Sequence, residues 1–310
     1  MYHIIFNPKS KGSRGKDVCR IVLAQLKIRS LPFILHTTDH PRHAEELTRE
    51  LTSQNKPCTL LIIGGDGTLN EVINGIVDPS LVTLGLIPSG SGNDFARAMK
   101  IPRDPGKALE LILHQKPVPV HYGHMSAGRH KRRFMISCGA GFDSEVCRAV
   151  HYSKLKKLFN RIFLGNLVYG FISVRKLLFR TLFSAEVSCD SGETSLSFKD
   201  ITFITAFNSA YEGGGFKFCP PADPKKDGLQ LFCIHDLPLY RIPLLFPLAH
   251  AGRHLAFTQY IALQEVKKAV LRFSAPACIH TDGEVWGFFD QLTVESSADT
   301  VDMYLPKSDF

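Results

Sequence analysis

The stretch LLIIGGDGTLNEVI, Leu60 to Ile73, constrains this chain more than any other. Leu60 to Ile63 reads as a buried strand. In Gly64-Gly65-Asp66-Gly67, three of four residues lack a Cβ, and Thr68 opens a helix. Glycine permits left-handed backbone angles and lets a ligand come close to the main chain. Thr68 and Glu71 stand at T-x-x-E spacing, so Thr68 is expected to cap the first turn. Strand, glycine turn and helix N-terminus together present free N–H groups and the positive end of a helix dipole to an anion. The motif is not a Walker A, which needs G-K-[ST], nor the spaced G-x-G-x-x-G of dinucleotide folds.

The same logic recurs twice. LGLIPSGSGNDFARAM runs strand, then Pro88-Ser89-Gly90-Ser91-Gly92, then a helix opened by Asn93 or Asp94. FNPKSKGSRG adds Asn7, Ser10, Lys11 and Gly12 after the first strand. Ligands of open α/β sheets sit at the carboxyl ends of strands, so three such turns imply one crevice for a nucleotide di- or triphosphate. Strand and helix signals alternate up to Lys116, which predicts a parallel sheet covered by helices. Beyond KPVPV, short β runs dominate. Two helical inserts are expected, at 153–182 and about 239–256, with a proline-stiffened linker near 116–120.

Charge is unevenly placed. The formal net charge is +8, and from Val146 to Ala185 there is no Asp or Glu, while Arg148, Lys154, Lys156, Lys157, Arg161, Arg175, Lys176 and Arg180 fall in that span. Leu155, Leu158, Phe159, Ile162 and Phe163 follow helical spacing, with cations mainly on the other side. Such a segment suits an anionic lipid interface. No nucleic-acid motif accompanies the charge, so no nucleic-acid partner is expected. The longest apolar run, Ile162 to Val174, falls short of the ~18 residues of a spanning helix. The N-terminus does not read as a signal peptide. Eight cysteines without a C-x-x-C read as free thiols in a reducing cytoplasm.

Taken together, GGDGTLNEV, PSGSGNDFAR, NPKSKG and the late TDGE at 281–284 resemble the catalytic domain of diacylglycerol kinases, in the bacterial lipid kinase branch with sphingosine-kinase-like members. GGDGT alone is shared with NAD kinases and, loosely, phosphofructokinases; LNEV and N-D-F-A make it specific. The resemblance spans the chain. It implies an α/β nucleotide-binding lobe (1–118) plus a C-terminal β-sandwich lobe (119–294), the NAD kinase/diacylglycerol kinase-like two-domain fold, with residues 295–310 returning to the first lobe. It implies ATP, Mg²⁺, a lipid hydroxyl as acceptor, and a cytoplasmic protein held peripherally at the inner face of the membrane. A homodimer is one assembly it allows.

Carried over by residue, the resemblance has Gly64, Gly65, Asp66, Gly67, Thr68, Leu69, Asn70 and Glu71 at the ATP phosphates, with Asp66 in the metal network. Thr38 (or Thr37) contacts the nucleotide, Ser91 keeps the hydroxyl of the usual threonine, and Gly92, Asn93 and Asp94 complete that loop. Asp227, with main-chain oxygens near Pro224 and Leu229, resembles the ligand set of a second, structural Mg²⁺. Asp282 and Glu284 form the catalytic pair, Glu284 favoured as general base. His121 stands where the family commonly has a metal-network aspartate. Two alternatives stay open: an NAD-kinase-like enzyme with a soluble substrate, and a nucleotide-binding regulator that has lost catalysis.

Overall fold

Leu60 to Ile63 are fully buried, and the sheet is built outward from them. The computed structural model describes residues 1–10, 14–152, 179–190 and 194–307. Residues 153–178 of the insert expected at 153–182 lie outside the described residues, as do Lys11 and Gly12.

The first lobe alternates strand and helix: β1 (Tyr2–Phe6), α1 (Arg14–Ile28), β2 (Phe33–Thr37), α2 (His43–Thr52), β3 (Cys58–Gly64), α3 (Asp66–Gly75), β4 (Val82–Pro88), α4 (Asp94–Ala98) and α5 (Pro105–His114). Its four strands are parallel in the order β2-β1-β3-β4. The chain goes from β1 to β2 on one side, then returns to β3 on the other. That reversal opens a crevice at the carboxyl ends of β1 and β3. Helix α1 buries Val18, Cys19, Val22 and Leu26, whereas Ile21, on the same apolar pattern, is turned to solvent. Helix α5 starts where its sequence dictates: Asp104 accepts the N–H of Lys107 at 2.8 Å and Pro105 fills the first turn.

The second lobe holds β5 (Pro117–Ala127), β6 (His130–Phe134), β7 (Ser137–Gly141), α6 (Phe142–Tyr152), β8 (Phe183–Cys189), β9 (Thr194–Phe207), β10 (Leu229–His235), α7 (Ile242–Ala251), β11 (Ile261–Val266), β12 (Lys268–Thr281) and β13 (Glu284–Tyr304). These strands pair antiparallel in the order β11-β10-β9-β7-β12-β13, with β8 on β9 and β12, and β5 on β13 and β6. Helix α7 and its flanking 3-10 turns occupy the second expected insert.

The expected linker is a strand. Pro117 and Pro119 lie in β5, opposite Tyr304 and Asp302 of β13. β6 covers β5 only from Gly123 onward, so the missing proline N–H groups fall on an open edge and cost no ladder bond. β13 runs for 21 residues, pairs with β12 in the sandwich, and ends parallel to β4, Asp302 opposite Thr83 and Met303 opposite Leu84. The first lobe has its own core, to which Val301, Met303 and Leu305 contribute. A second core fills the sandwich around Val187, Leu231, Ile279 and Leu292, and a third lies under α7 around Phe203, Phe207 and Phe232.

Candidate active site

Three loops close over the crevice. Gly65 is the N-cap of α3, with φ −110° and ψ −167°, ordinary extended backbone. The glycines here serve close approach rather than left-handed angles. A Cβ on Gly65 would stand 2.9 Å from Cα of Gly90, so the β3 and β4 loops pack backbone to backbone. Ser10 ties the third loop in, its hydroxyl 2.9 Å from that of Ser89 and 2.8 Å from the Asn7 carbonyl. Asn7 donates to the Thr68 hydroxyl at 3.3 Å. Gly67 differs: a Cβ there would meet nothing within 4 Å. The first intrahelical bond of α3 runs from Leu69 N–H to Gly65 C=O, which leaves the N–H groups of Asp66, Gly67 and Thr68 ahead of it. An open face lined by first-turn amides of a ten-residue helix fits a phosphate group.

Asp66 and Asp94 are a buried carboxylate pair beside these amides. Asp66 accepts the N–H of Asp94 at 3.0 Å and of Phe95 at 3.2 Å, and so caps α4. Burial pushes its carboxyl above the usual range, against the pull of those N–H groups. Asp94 accepts from Gly214 N–H at 2.7 Å and pairs with Arg97. Burial, then the Asp66 charge, push Asp94 up to about 6. Asn93 takes a left-handed conformation, φ 53°, and its amide bonds both the N–H and the C=O of Gly90. Ser91 is exposed beside it.

The facing wall is the β12–β13 hairpin. Asp282-Gly283 is a two-residue turn between Thr281 and Glu284, with φ 47° and 84°, the twist that an Asp-Gly hairpin favours. Asp282 is turned inward. Its carboxylate accepts four bonds: from Asn70 Nδ2 at 2.8 Å, Met135 N–H at 2.9 Å, Ile136 N–H at 2.8 Å and Ser137 N–H at 3.0 Å. Burial raises its proton affinity and these donors oppose that. Glu284 is exposed and has no hydrogen-bond partner among the described residues. Between hairpin and helix lies a cavity of about 710 Å³, lined by Gly67, Asn70 and Glu71 on one side and by Asp282, Glu284 and Trp286 on the other.

The lobes are clamped around this cavity. Arg132 of β6 reaches Glu45 of α2 at 2.7 Å, and both side chains are nearly buried. Arg133 donates to the carbonyls of Ile73 (2.9 Å) and Ile76 (2.7 Å), satisfying the C-terminal end of α3. Asn70 and Asn74 both donate to the Arg133 carbonyl, at 3.2 and 2.9 Å. Beneath Asp282, the Ser137 hydroxyl donates to Glu212 at 2.7 Å, and Glu212 stands 2.9 Å from Nε2 of His280. Asp143 lies 3.7 Å from that nitrogen. Burial, then the Asp143 charge, hold the Glu212 carboxyl well above its ordinary value.

Several expected roles change. Thr68 is not a cap: it is the buried third residue of α3, whose N-cap is Gly65, and Glu71 turns away to accept Ala44 N–H at 3.1 Å. Leu69 is fully buried in the first core, so it offers a ligand no side chain. Asn70 is spent on Asp282 and Arg133 rather than on phosphates. Thr38 is buried, its N–H on the Phe6 carbonyl at 2.9 Å. Asp282 has no lone pair left for a substrate proton, because three backbone N–H groups and the Asn70 amide fill all four positions. The second Mg²⁺ set does not fit. Asp227 holds the Lys267 ammonium at 2.7 Å and the Ser296 hydroxyl at 3.1 Å. The Pro224 carbonyl accepts His121 N–H at 2.7 Å, and Leu229 begins β10 opposite Val266. His121 therefore belongs to the Asp227 corner. Sequence reasoning missed Arg132, Arg133, Trp286 and Glu212. Only Asn74 left a trace, four residues after Asn70 on one helical face.

Comparison with known proteins agrees with this architecture. The family model described as the diacylglycerol kinase catalytic domain matches residues 1–125. The one described as the YegS C-terminal NAD kinase beta sandwich-like domain matches residues 136–298. The diacylglycerol kinase of Bacillus subtilis (strain 168) is 30% identical over 299 residues, 92% of this chain and 89% of that protein. That of Staphylococcus carnosus (strain TM300) is 27% identical over 92% of this chain and 88% of its own. A crystal structure of a diacylglycerol kinase from Bacillus anthracis shares the fold, with a TM-score of 0.70 at 17% identity, over 100% of this chain and 98% of that one. With both lobes matched in order and the cavity between them, this chain belongs to the diacylglycerol kinase family of lipid kinases.

Proposed function

We propose that this chain transfers the γ-phosphoryl group of ATP to the hydroxyl of a lipid presented at a membrane surface. One observation carries the reading: a free carboxylate, Glu284, shares a cavity with Gly67 at the open N-terminus of α3. The amides of Gly67 and Thr68 hold phosphate oxygens, and Ser91 and Asn7 border them. Glu284 takes the proton of the acceptor hydroxyl as its oxygen bonds to the γ-phosphorus and ADP leaves. Asp282 holds Asn70 of α3 against the hairpin and so fixes the distance between the two walls. Mg²⁺, when bound with the nucleotide beside Asp66 and Asp94, supplies charge neutralisation at the transferred group. Among the described residues no helix is long and apolar enough to cross a membrane.

The test is transfer of labelled γ-phosphate from ATP to a panel of lipids in mixed micelles, with NAD in a parallel reaction. Label in a lipid, abolished by Glu284→Gln, supports the reading. Label in NAD alone overturns it.

A further inference from the structure

Glu212 is not among the residues that line the cavity, yet the chain around it touches both lobes. Its Oε1 accepts the Ser137 hydroxyl at 2.7 Å and stands 2.9 Å from Nε2 of His280. Both partners hold the hairpin. Ser137 is paired to Asp282 in both directions, its N–H on the carboxylate at 3.0 Å and its C=O on the Asp282 N–H at 2.9 Å. His280 lies near the end of β12, two residues before Asp282. Directly after Glu212 the chain runs Gly213-Gly214-Gly215, with φ 70°, 82° and 123°. A two-way backbone pair between Glu212 and Phe216, at 3.0 and 3.2 Å, closes this loop. At its tip the Gly214 N–H crosses to the first lobe and donates to Asp94 at 2.7 Å. A Cβ on Gly214 would meet nothing within 4 Å, so it is not space that calls for glycine there. The left-handed backbone that aims the N–H does. Gly215 packs on Arg97, the partner of Asp94: a Cβ there would stand 3.3 Å from the guanidinium carbon.

The arrangement is an expensive one. The side chains of Glu212 and Asp143 are 13% exposed and that of His280 is fully buried, and among the described residues no Lys or Arg is bonded to these three. Burying two carboxylates around one imidazole stabilises a fold less than an apolar filling of the same volume. What it supplies is direction, because a hydrogen-bonded network has one geometry where apolar contacts allow many. We propose that Glu212 is a positioning residue: it holds the 213–215 loop on Asp94 and so fixes the donor-side carboxylates relative to the β12–β13 hairpin. Asn70 already ties the hairpin to α3. The glycine loop ties the same strands to α4, on the other side of the crevice. The consequence for turnover rests on the kinase reading; the seating of the loop on Asp94 does not.

Two readouts test this on the whole protein. Hydrogen exchange follows the loop without turnover. Glu212→Ala should speed exchange of the Gly214 amide about tenfold or more, while the amides of β7 keep their protection. Labelled-phosphate transfer follows the consequence. Glu212→Ala should lower kcat about ten- to a hundredfold, with KM for ATP and for lipid unchanged within about twofold. Glu212→Gln keeps an acceptor for Ser137 and should restore most of the rate. Gly214→Ala breaks the other end of the same tie, and it carries both readouts if Glu212→Ala does not fold. It should match Glu212→Ala, and the double variant should be no slower than the slower single. Unchanged exchange at Gly214, or an intact kcat with only a lower Tm, overturns the proposal. So do losses that multiply in the double variant. Label in no lipid with the native protein would defeat the kinase reading, and exchange at Gly214 would still decide whether Glu212 holds the loop.

Discussion

The two walls of the cavity are made of different material. The α3 side is backbone: glycines, amides and a helix end, with side chains such as Leu69 and Asn70 turned inward. The hairpin side is side chains: the free carboxylate of Glu284 and the indole of Trp286 at the start of β13, with the Arg148 guanidinium of α6 beside them. In the proposed reaction the backbone would meet what every nucleotide shares, its phosphates. Side chains recognise what differs between acceptors.

The largest test of that division is Glu284→Gln. It should lower the transfer rate by about 10²–10⁴ while leaving the ATP KM unchanged; a rise in KM with kcat intact would move Glu284 to the nucleotide wall. Next is Asp282→Ala. It strands three buried backbone N–H groups and Asn70, so a loss of about 3–5 kcal/mol in denaturant titrations is expected. Full stability with lost turnover would instead make Asp282 the base. A smaller contrast lies within the glycines. Gly65→Ala meets Gly90 backbone at 2.9 Å and should cost about 1–3 kcal/mol, whereas Gly67→Ala meets no protein atom and should weaken ATP binding with little change in Tm. If both lower Tm alike, the space at Gly67 is not a ligand's.

The smallest effect is a pH slope. The Asp94 carboxyl is raised from 3.8 to about 6 by burial and by Asp66, so the folded protein keeps a proton that the unfolded chain releases in that window. Stability should therefore fall as pH rises through it. Asp94→Asn removes the slope: measured by Tm, the variant should gain on the native protein between the bottom and the top of that window. A constant difference in Tm would show that Asp94 titrates normally.

These contrasts also show which parts of the site a sequence can reveal. Gly65, Gly67 and the strand before them are local: residue type, spacing and backbone chemistry sit within ten residues, so the strand, the glycine turn and the open helix start could be read directly. The TDGE turn was visible for the same reason, yet the division of labour between Asp282 and Glu284 was not. It depends on Met135, Ile136 and Ser137, some 145 residues earlier in the chain. Thr68 shows the opposite failure. T-x-x-E was a sound local signal for a cap, but the helix begins two residues sooner, and Glu71 finds its donor on α2. Prolines at 117 and 119 suggested a linker because nothing local says that β13 will come alongside.

That late arrival has a consequence for how the molecule is made. Val301, Met303 and Leu305 complete the core of the lobe whose other strands all lie before residue 90. On the ribosome, the first lobe can collapse early but must wait for the last residues before its sheet gains the neighbour of β4. Until then β4 presents an unpaired edge, and the lobe begun first is the one finished last.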